Sequence, residues 1–233
     1  MLVSRHGLGP ARPTTRVYKS YSTTFSATET PVSEGGNWVN SAIDWTLVDL
    51  ASGIAFGTQA GGGFDDSFAD LVLPGFGPDV QIDTTIFKGT TSGTQEIEHH
   101  LRATHSAHVA NRYEVNVAHD GSYFNAYQWP GPLGTAVGDF RPLATETGGV
   151  QFTVPGGAVN NGDVIRTRIK GNVITGWINR GAGFVLVGTW TDTAGANGGA
   201  ALISGNVGMG FFKTSGSGAM NQFGFTDFSV TEI

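Results

Sequence analysis

The stretch EIEHHLRATHSAHVANRYEVNV, residues 96 to 117, gathers three glutamates, four histidines and two arginines in a chain that is only 14% charged. Its periodicity decides how the rest is read. Side chains alternate faces along a β-strand. In EIEHHLRA, Glu96, Glu98, His100 and Arg102 share one face, and Ile97, His99, Leu101 and Ala103 share the other. In RYEVNV, Tyr113, Val115 and Val117 point one way while Arg112, Glu114 and Asn116 point the other. VIRTRI repeats the pattern, with Ile165 and Ile169 opposing Arg166 and Arg168. Three strands with one apolar and one ionic side predict a half-buried antiparallel sheet. Were the three neighbours, their ionic sides would form one solvated surface. Opposite charges there pair across strands for a few tenths to about 1 kcal/mol each.

Two chemical readings compete with that structural one. Same-face neighbours lie about 6.6 Å apart at Cα, twice the rise per residue. Flexible glutamates at that spacing reach the roughly 5–5.5 Å carboxyl separation of a retaining glycosidase, which makes Glu96, Glu98 and His100 the catalytic candidates. A metal reading uses His99 with His105 or His108, but these lack a fixed short ligand spacing, and THSAHVAN reads as a turn. Asp65, Asp66 and Asp70 of FDDSFAD offer hard oxygen donors to Ca²⁺ without the spacing of a regular calcium loop. The sequence therefore assigns no metal and no other cofactor.

Working outward, turn signals recur every 8 to 15 residues among 36 glycines, and no helix-forming run interrupts them. YSTTFSA, DWTLVDL, GIAFG and DVQIDTTIF precede the opening stretch as strands, with AGGGFDDSFAD (60–70) as a loop. NRYEVNVAHDGSYFNAYQW reads as a hairpin turning at Asp120-Gly121, a dipeptide suited to type I′ geometry. VQFTV, DVIRTRIKGNVITGWIN turning at Gly171-Asn172, FVLVGTWTDT, NVGMGFF and FGFTDFSVTEI complete about twelve strands. The expected fold is one all-β sandwich over residues 21–233 behind an extended arm, residues 1–20.

Charge divides the same way. The arm carries Arg5, Arg12, Arg16 and Lys19 and no acid, while the remainder holds 9 basic and 19 acidic side chains. An acidic body disfavours nucleic acid as a partner, because phosphate neutralisation needs clustered Lys and Arg. The arm reads either as a solvated leader or as a segment that docks on an acidic neighbour, such as a sister subunit. No apolar run approaches the roughly 20 residues of a membrane helix. The start lacks the apolar core of a secretory signal. Cysteine is absent, which removes disulfides and thiol chemistry. No G-x-S-x-G, P-loop, H-E-x-x-H or dinucleotide fingerprint is present.

From Trp38 onward the order of segments resembles the concanavalin A-like lectin/glucanase superfamily, especially its laminin-G-like members. The likeness rests on ANRYEVNV with SYFNAYQW, on NGDVIRTRIKGNVITGWIN, on TWTDTAGANGGAALISGNVGMGFF and on the closing FGFTDFSV. It covers about 195 residues. The resemblance implies a two-sheet antiparallel jelly roll with a concave face that often binds glycans. Hydrolases of the superfamily carry E-x-D-x-E on one strand. Here Glu96-Ile97-Glu98-His99-His100 has Glu for the central Asp and His for the last carboxylate. The Q-I-H strand of alginate-lyase-type members is absent.

These departures turn the expectation away from catalysis. The sequence favours a non-catalytic display or binding module, such as a decoration component at a virion or extracellular surface, anchored by its arm. The alternatives are a lectin-like module and a polysaccharide hydrolase or lyase. Arg102, Glu114, Tyr127, Trp129, Arg166 and Arg168 are the ligand-binding candidates, with Tyr123 and Trp177 as further aromatic platforms. Trp177 is expected in the core and Trp129 exposed before its WPGPLG loop. The histidines of the opening stretch are expected to make contacts sensitive to pH near 6 to 7.

Overall fold

The computed structural model of the chain describes residues 17–40, 46–60, 66–106, 109–132, 140–145, 149, 151–193 and 200–233. Arg5, Arg12, Arg16, Asp65 and His108 lie outside the described residues, as does the side chain of His105. The first strands are β1 (Ser20–Thr23), β2 (Trp38–Asn40), β3 (Val48–Ala51), β4 (Ile54–Gly57), β5 (Ser67–Leu71) and β6 (Val80–Lys88). The long central ones are β7 (Gln95–Ser106), β8 (Val109–Ala118) and β9 (Phe124–Pro132), followed by the short β10 (Arg141–Pro142), β11 (Ala144–Thr145) and β12 (Gln151–Phe152). Then come β13 (Val164–Lys170), β14 (Val173–Asn179), β15 (Phe184–Thr191), β16 (Asn206–Lys213), β17 (Phe223–Phe225) and β18 (Phe228–Glu232). Apart from two three-residue 3₁₀ turns there is no helix among the described residues.

The strands form two antiparallel sheets. One runs β11-β15-β14-β13-β6-β17-β4-β3, with β18 also on β6 and β1 on β18. The other runs β10-β9-β8-β7-β16-β5-β2, with β12 also on β9. Alternation explains how they close on each other. Val80, Ile82, Thr84 and Ile86 of β6 and Ile165, Thr167 and Ile169 of β13 face inward from the first sheet. Ile97 and Leu101 of β7, Tyr113, Val115 and Val117 of β8, and Met209 and Phe211 of β16 meet them from the second. Trp190 is fully buried at one end, stacked on Phe124 at 5.7 Å and met edge-on by Phe152. Each such side chain contributes roughly 1.5–3 kcal/mol by leaving water.

The all-β, two-sheet expectation holds, with the strands more finely divided than twelve. FGFTDFSVTEI breaks into β17 and β18, which lie along different parts of β6, and the Asp227 carboxylate accepts the Thr85 N–H at the break. Residues 67–70 of the expected 60–70 loop instead belong to the buried strand β5, whose Ala69 and Leu71 face the core. At Asp120-Gly121 only Gly121 has a positive φ, 73°, and its N–H donates to the Ala118 carbonyl. The turn is therefore not type I′, which needs positive φ at both central residues. Gly171-Asn172 does join β13 to β14.

Lys19 donates to the carbonyls of Gly75 and Pro74 in its own chain, and its N–H reaches the Glu232 carboxylate. His99 points inward, its ring nitrogens 2.8 Å from the Thr84 hydroxyl and 2.9 Å from that of Thr167. It ties the two sheets together, and burial pushes its pKa down to about 3. A metal held by His99 at the sheet surface is therefore excluded by the direction of the ring.

Candidate functional site

The outward face of the second sheet carries the opening stretch. Register places His100 opposite Glu114 and Glu98 opposite Asn116 across β7 and β8, and Glu98 opposite Gly210 across β7 and β16. The pairing of ionic residues across neighbouring strands is as the alternation predicts. Their expected solvation is not: Glu98 is 1% exposed and Arg112 2%. The cause is cover. Phe68 packs edge-on against His100 and flat beneath the Arg112 guanidinium, 3.7 Å from ring centroid to Cζ, and Trp129 closes over Glu114. Gly208 and Gly210 make the room. A Cβ on Gly210 would lie 2.0 Å from a Glu98 carboxyl oxygen, and one on Gly208 would lie 2.6 Å from Asp70.

Hydrogen bonding fixes the protonation of this layer. Arg112 Nη1 donates to His100 Nδ1 at 2.8 Å and also approaches Asp70 at 3.3 Å. Because Nδ1 accepts, the imidazole proton sits on Nε2, which donates to Glu98 at 2.9 Å. Burial and the Arg112 charge hold His100 well below the ordinary histidine range. Burial, and then repulsion from Glu114, Asp66 and Glu96, holds Glu98 well above the ordinary carboxylate range. Glu98, His100 and Glu114 bring ligand-type atoms within 4.8 Å of one another, a metal-like donor set among the described residues. The donor set does not fit a metal, because ligation through Nε2 would put the proton on Nδ1, against the Arg112 N–H. The guanidinium is the cation of this cluster.

Above the ionic layer lies a cleft of about 550 Å³. Its lining combines the polar Glu96, Glu114, Asn116 and Asn125 with the aromatic Tyr123, Tyr127, Trp129, Phe140 and Phe212, and includes Asp66 and Gln151. Alternation along FNAYQW sends Asn125, Tyr127 and Trp129 to this side and Phe124 and Ala126 to the core. Phe140 meets Tyr127 edge-on at 5.0 Å and Trp129 at 5.3 Å. Trp129 is 4% exposed, not exposed as its loop-side position predicts, because its indole N–H reaches back to Glu114 at 2.7 Å. Glu96 accepts from the Tyr123 hydroxyl at 2.7 Å. Burial first, then repulsion from Glu114, raises the pKa of Glu96 to about 8. Burial raises that of Glu114 to about 7.

The cleft thus unites Glu96, Glu114, Tyr127 and Trp129 of the sequence-predicted residues with Tyr123. Glu98 and His100 lie beneath it. Arg102 is elsewhere: a bulge after Leu101 gives it φ 50° and turns it off the face of Glu96. Its guanidinium clamps the carbonyls of Pro78, Leu202 and Gly171 and the Asp79 carboxylate. Arg166 and Arg168 belong to the other sheet, because β13 pairs with β6 and β14 and not with β7 or β8. On that sheet's outer face they lie over Phe184 and Trp177, so Trp177 is half-buried outside, whereas Trp38 and Trp190 are in the core. Asp66 is approached by Gln59, and Asp70 by Arg112. Asn125, Phe140 and Phe212 escaped sequence reasoning, and Arg112 and Asn116 were placed on the ionic face without being taken as site residues. The alternating glycines of GMG were the available signal, since a strand without side chains on one face leaves room for large neighbours.

Comparison with solved structures addresses the architecture. The carbohydrate binding module CBM66 from Bacillus subtilis superimposes with a TM-score of 0.51 at 14% identity, over 87% of this chain and 96% of that one. An endo-1,3-beta-glucanase from Streptomyces sioyaensis gives 0.53 at 12%, over 97% and 99%. The fold is the concanavalin A-like jelly roll. The VIP36 exoplasmic/lumenal domain in its Ca²⁺/Man3GlcNAc-bound form shares this jelly roll, with 0.52 at 10% over 85% and 84%. No family model and no curated protein sequence matches the chain.

Proposed function

We propose that this jelly roll binds a glycan in the cleft above β7, β8 and β9, without cleaving it. One observation carries the reading: an aromatic wall of Tyr127, Trp129 and Phe140 stands beside the buried Glu114, Asn116 and Asn125 and the half-buried Glu96 in a cleft of about 550 Å³. Apolar walls with a few convergent polar groups are the composition of a small-molecule site. Carbohydrate-related names among the structural neighbours support the same class. Hydrolysis by Glu96, Glu98 and His100 is disfavoured by position. Only Glu96 lines the cleft, and His100 is neutral with its proton held by Glu98. The display role at a virion surface rests on the basic arm, of whose basic residues only Lys19 is described, and Lys19 is bound to its own chain.

A glycan array with the full chain tests the proposal, with Tyr127→Ala and Trp129→Ala as cleft variants and a thermal melt for each. Binding to defined glycans, weakened at least about tenfold in a folded variant, is the expected result. Full binding by both folded variants would move the site elsewhere. New reducing ends that disappear in Glu96→Gln would replace the binding reading with a hydrolase.

A further inference from the structure

The polar inventory of the cleft is one-sided. The Tyr123 hydroxyl donates to Glu96, and the Trp129 indole and the Asn116 amide nitrogen both donate to Glu114. The Asn125 amide nitrogen donates to the Tyr127 hydroxyl at 3.0 Å. Those bonds orient both amides, and they leave Asn116 Oδ1 and Asn125 Oδ1 buried without a hydrogen-bond partner. Buried acceptors of this kind are rare unless something else satisfies them. Among the described lining residues there is no Lys, Arg or His; the nearby Arg112 lies below the cleft, its Nη1 bound to His100 and Asp70 and its Nε and Nη2 without a hydrogen-bond partner.

We propose that the ligand is a glycan with a free amine, its ammonium held by the Glu96 and Glu114 carboxylates and its remaining donors by the Asn116 and Asn125 oxygens. This rests on the glycan-binding reading and names its substrate class. An ammonium carries three donors and no acceptor, which complements two carboxyls and two amide oxygens left without a partner. Hydrogen bonds to an ionised carboxylate are roughly twice as strong as neutral ones. The faces of Tyr127 and Trp129 add cation–π attraction. A uronic or sulfated sugar would meet like charge and no cation, which selects against it. The titratable groups around Glu96 and Glu114 are Glu98 and His100 on β7, Arg112 on β8, Tyr123 and Tyr127 next to and on β9, and Asp66 and Asp70 next to and on β5. Only Arg112 brings positive charge to them, so a bound ammonium favours ionisation of both carboxyls and expels protons at pH 5.5.

Calorimetry on the full chain at pH 5.5, where the glucosamine amines already carry their protons, reads this directly in two buffers of different ionisation enthalpy. The probes are a β-1,4-glucosamine tetrasaccharide, its fully N-acetylated counterpart and a tetra-uronic acid. The amine form should bind at least about tenfold more tightly than the acetylated one, with net proton release. Glu114→Gln, or Glu96→Gln should the first fail to fold, should shrink that ratio below about threefold. An acetylated or uronic probe that binds as tightly as the amine overturns the inference and leaves glycan binding standing. The same holds if the glycans retained on the array through Tyr127 lack free amines. No binding to any probe or array glycan overturns both.

Discussion

The outer faces of the two sheets are written in the same code and meet opposite fates. On β13, Arg166 and Arg168 alternate with buried isoleucines, and Arg166 forms a two-pronged ion pair with Asp83 of β6 at 2.7 and 2.8 Å. On β7 and β8, Glu98, His100, Arg112 and Glu114 alternate with buried residues just as regularly. Arg166 and Asp83 remain 28% and 26% exposed, however, while Arg112 and Asp70 are sealed at 2% and 0%. The difference is made by neighbours: Phe68 and Trp129 cover the second sheet, and Gly208 and Gly210 let the covered groups sink. Alternation thus assigns a side chain to a face, and the partner strands decide whether that face is wet.

Removing one cation from each face separates the two most sharply. In the covered layer, Arg112→Ala strips the guanidinium from Asp70 and from His100 Nδ1. It leaves Glu98, Glu114 and Asp70 in a dry site without their positive neighbour. Loss of one partner from a buried charge network is expected to destabilise by about 3–5 kcal/mol. Urea denaturation should show this as a lower midpoint with an unchanged slope. A loss below about 1 kcal/mol would mean that water enters the layer and that the two faces are alike.

The same contrast marks how far the sequence could be read. Class, sheet alternation and most strand positions follow from period 2 in β6, β7, β8, β13 and β14, because each pairs an apolar stripe with a polar one. Glu96, Glu114, Tyr127 and Trp129 were legible as site candidates because they fall on the polar side of such strands. Arg102 was not, since a bulge reverses its direction and nothing in HHLRAT announces the extra residue. Arg166 and Arg168 were misplaced because strand pairing is non-local: β13 follows β12 in sequence but joins β6, on the opposite sheet from β8. Burial of the ionic layer depends on Phe68, on a strand that a run of glycine and aspartate disguises as loop.

The covered layer should also carry the pH dependence that its histidines were expected to supply. Held far below 6.5, His99 and His100 stay neutral in the folded state. The unfolded chain takes up their protons as pH falls, so their contribution to stability is lost on acidification below about 6.5. The carboxyls act with the opposite sign. Glu114, Glu96 and Glu98 keep protons that unfolded glutamates release near pH 4.3, their folded pKa values being about 7, about 8 and well raised. Their contribution is full below about pH 4.5 and is lost as pH climbs through 7 and 8. Between pH 6.5 and 8.5 only the carboxyl effect operates, and a loss on the order of 1–3 kcal/mol is expected. A kilocalorie corresponds to roughly 2–4 °C in a domain of this size. Thermal melts should fall by several degrees across that window, and Glu114→Gln should flatten the slope. A level Tm from pH 6.5 to 8.5 would place ordinary, ionised carboxylates in the cleft.

The smallest effect belongs to the wet face. Arg166→Ala deletes a bidentate pair with Asp83 and the stacking of its guanidinium on Phe184, 3.8 Å from Cζ to the ring centroid. Both partners already face water, so Asp83 regains hydration in place of the lost hydrogen bonds. Exposed ion pairs contribute a few tenths to about 1 kcal/mol. The expected cost is therefore below about 1 kcal/mol, and it should shrink further in 1 M salt, where screening acts within about 3 Å. Arg112→Ala should keep its full cost in the same buffer, because salt does not reach a covered charge. A salt-insensitive loss of several kcal/mol at Arg166 would show that the stack on Phe184 dominates over the charge, and that this face too is held by packing.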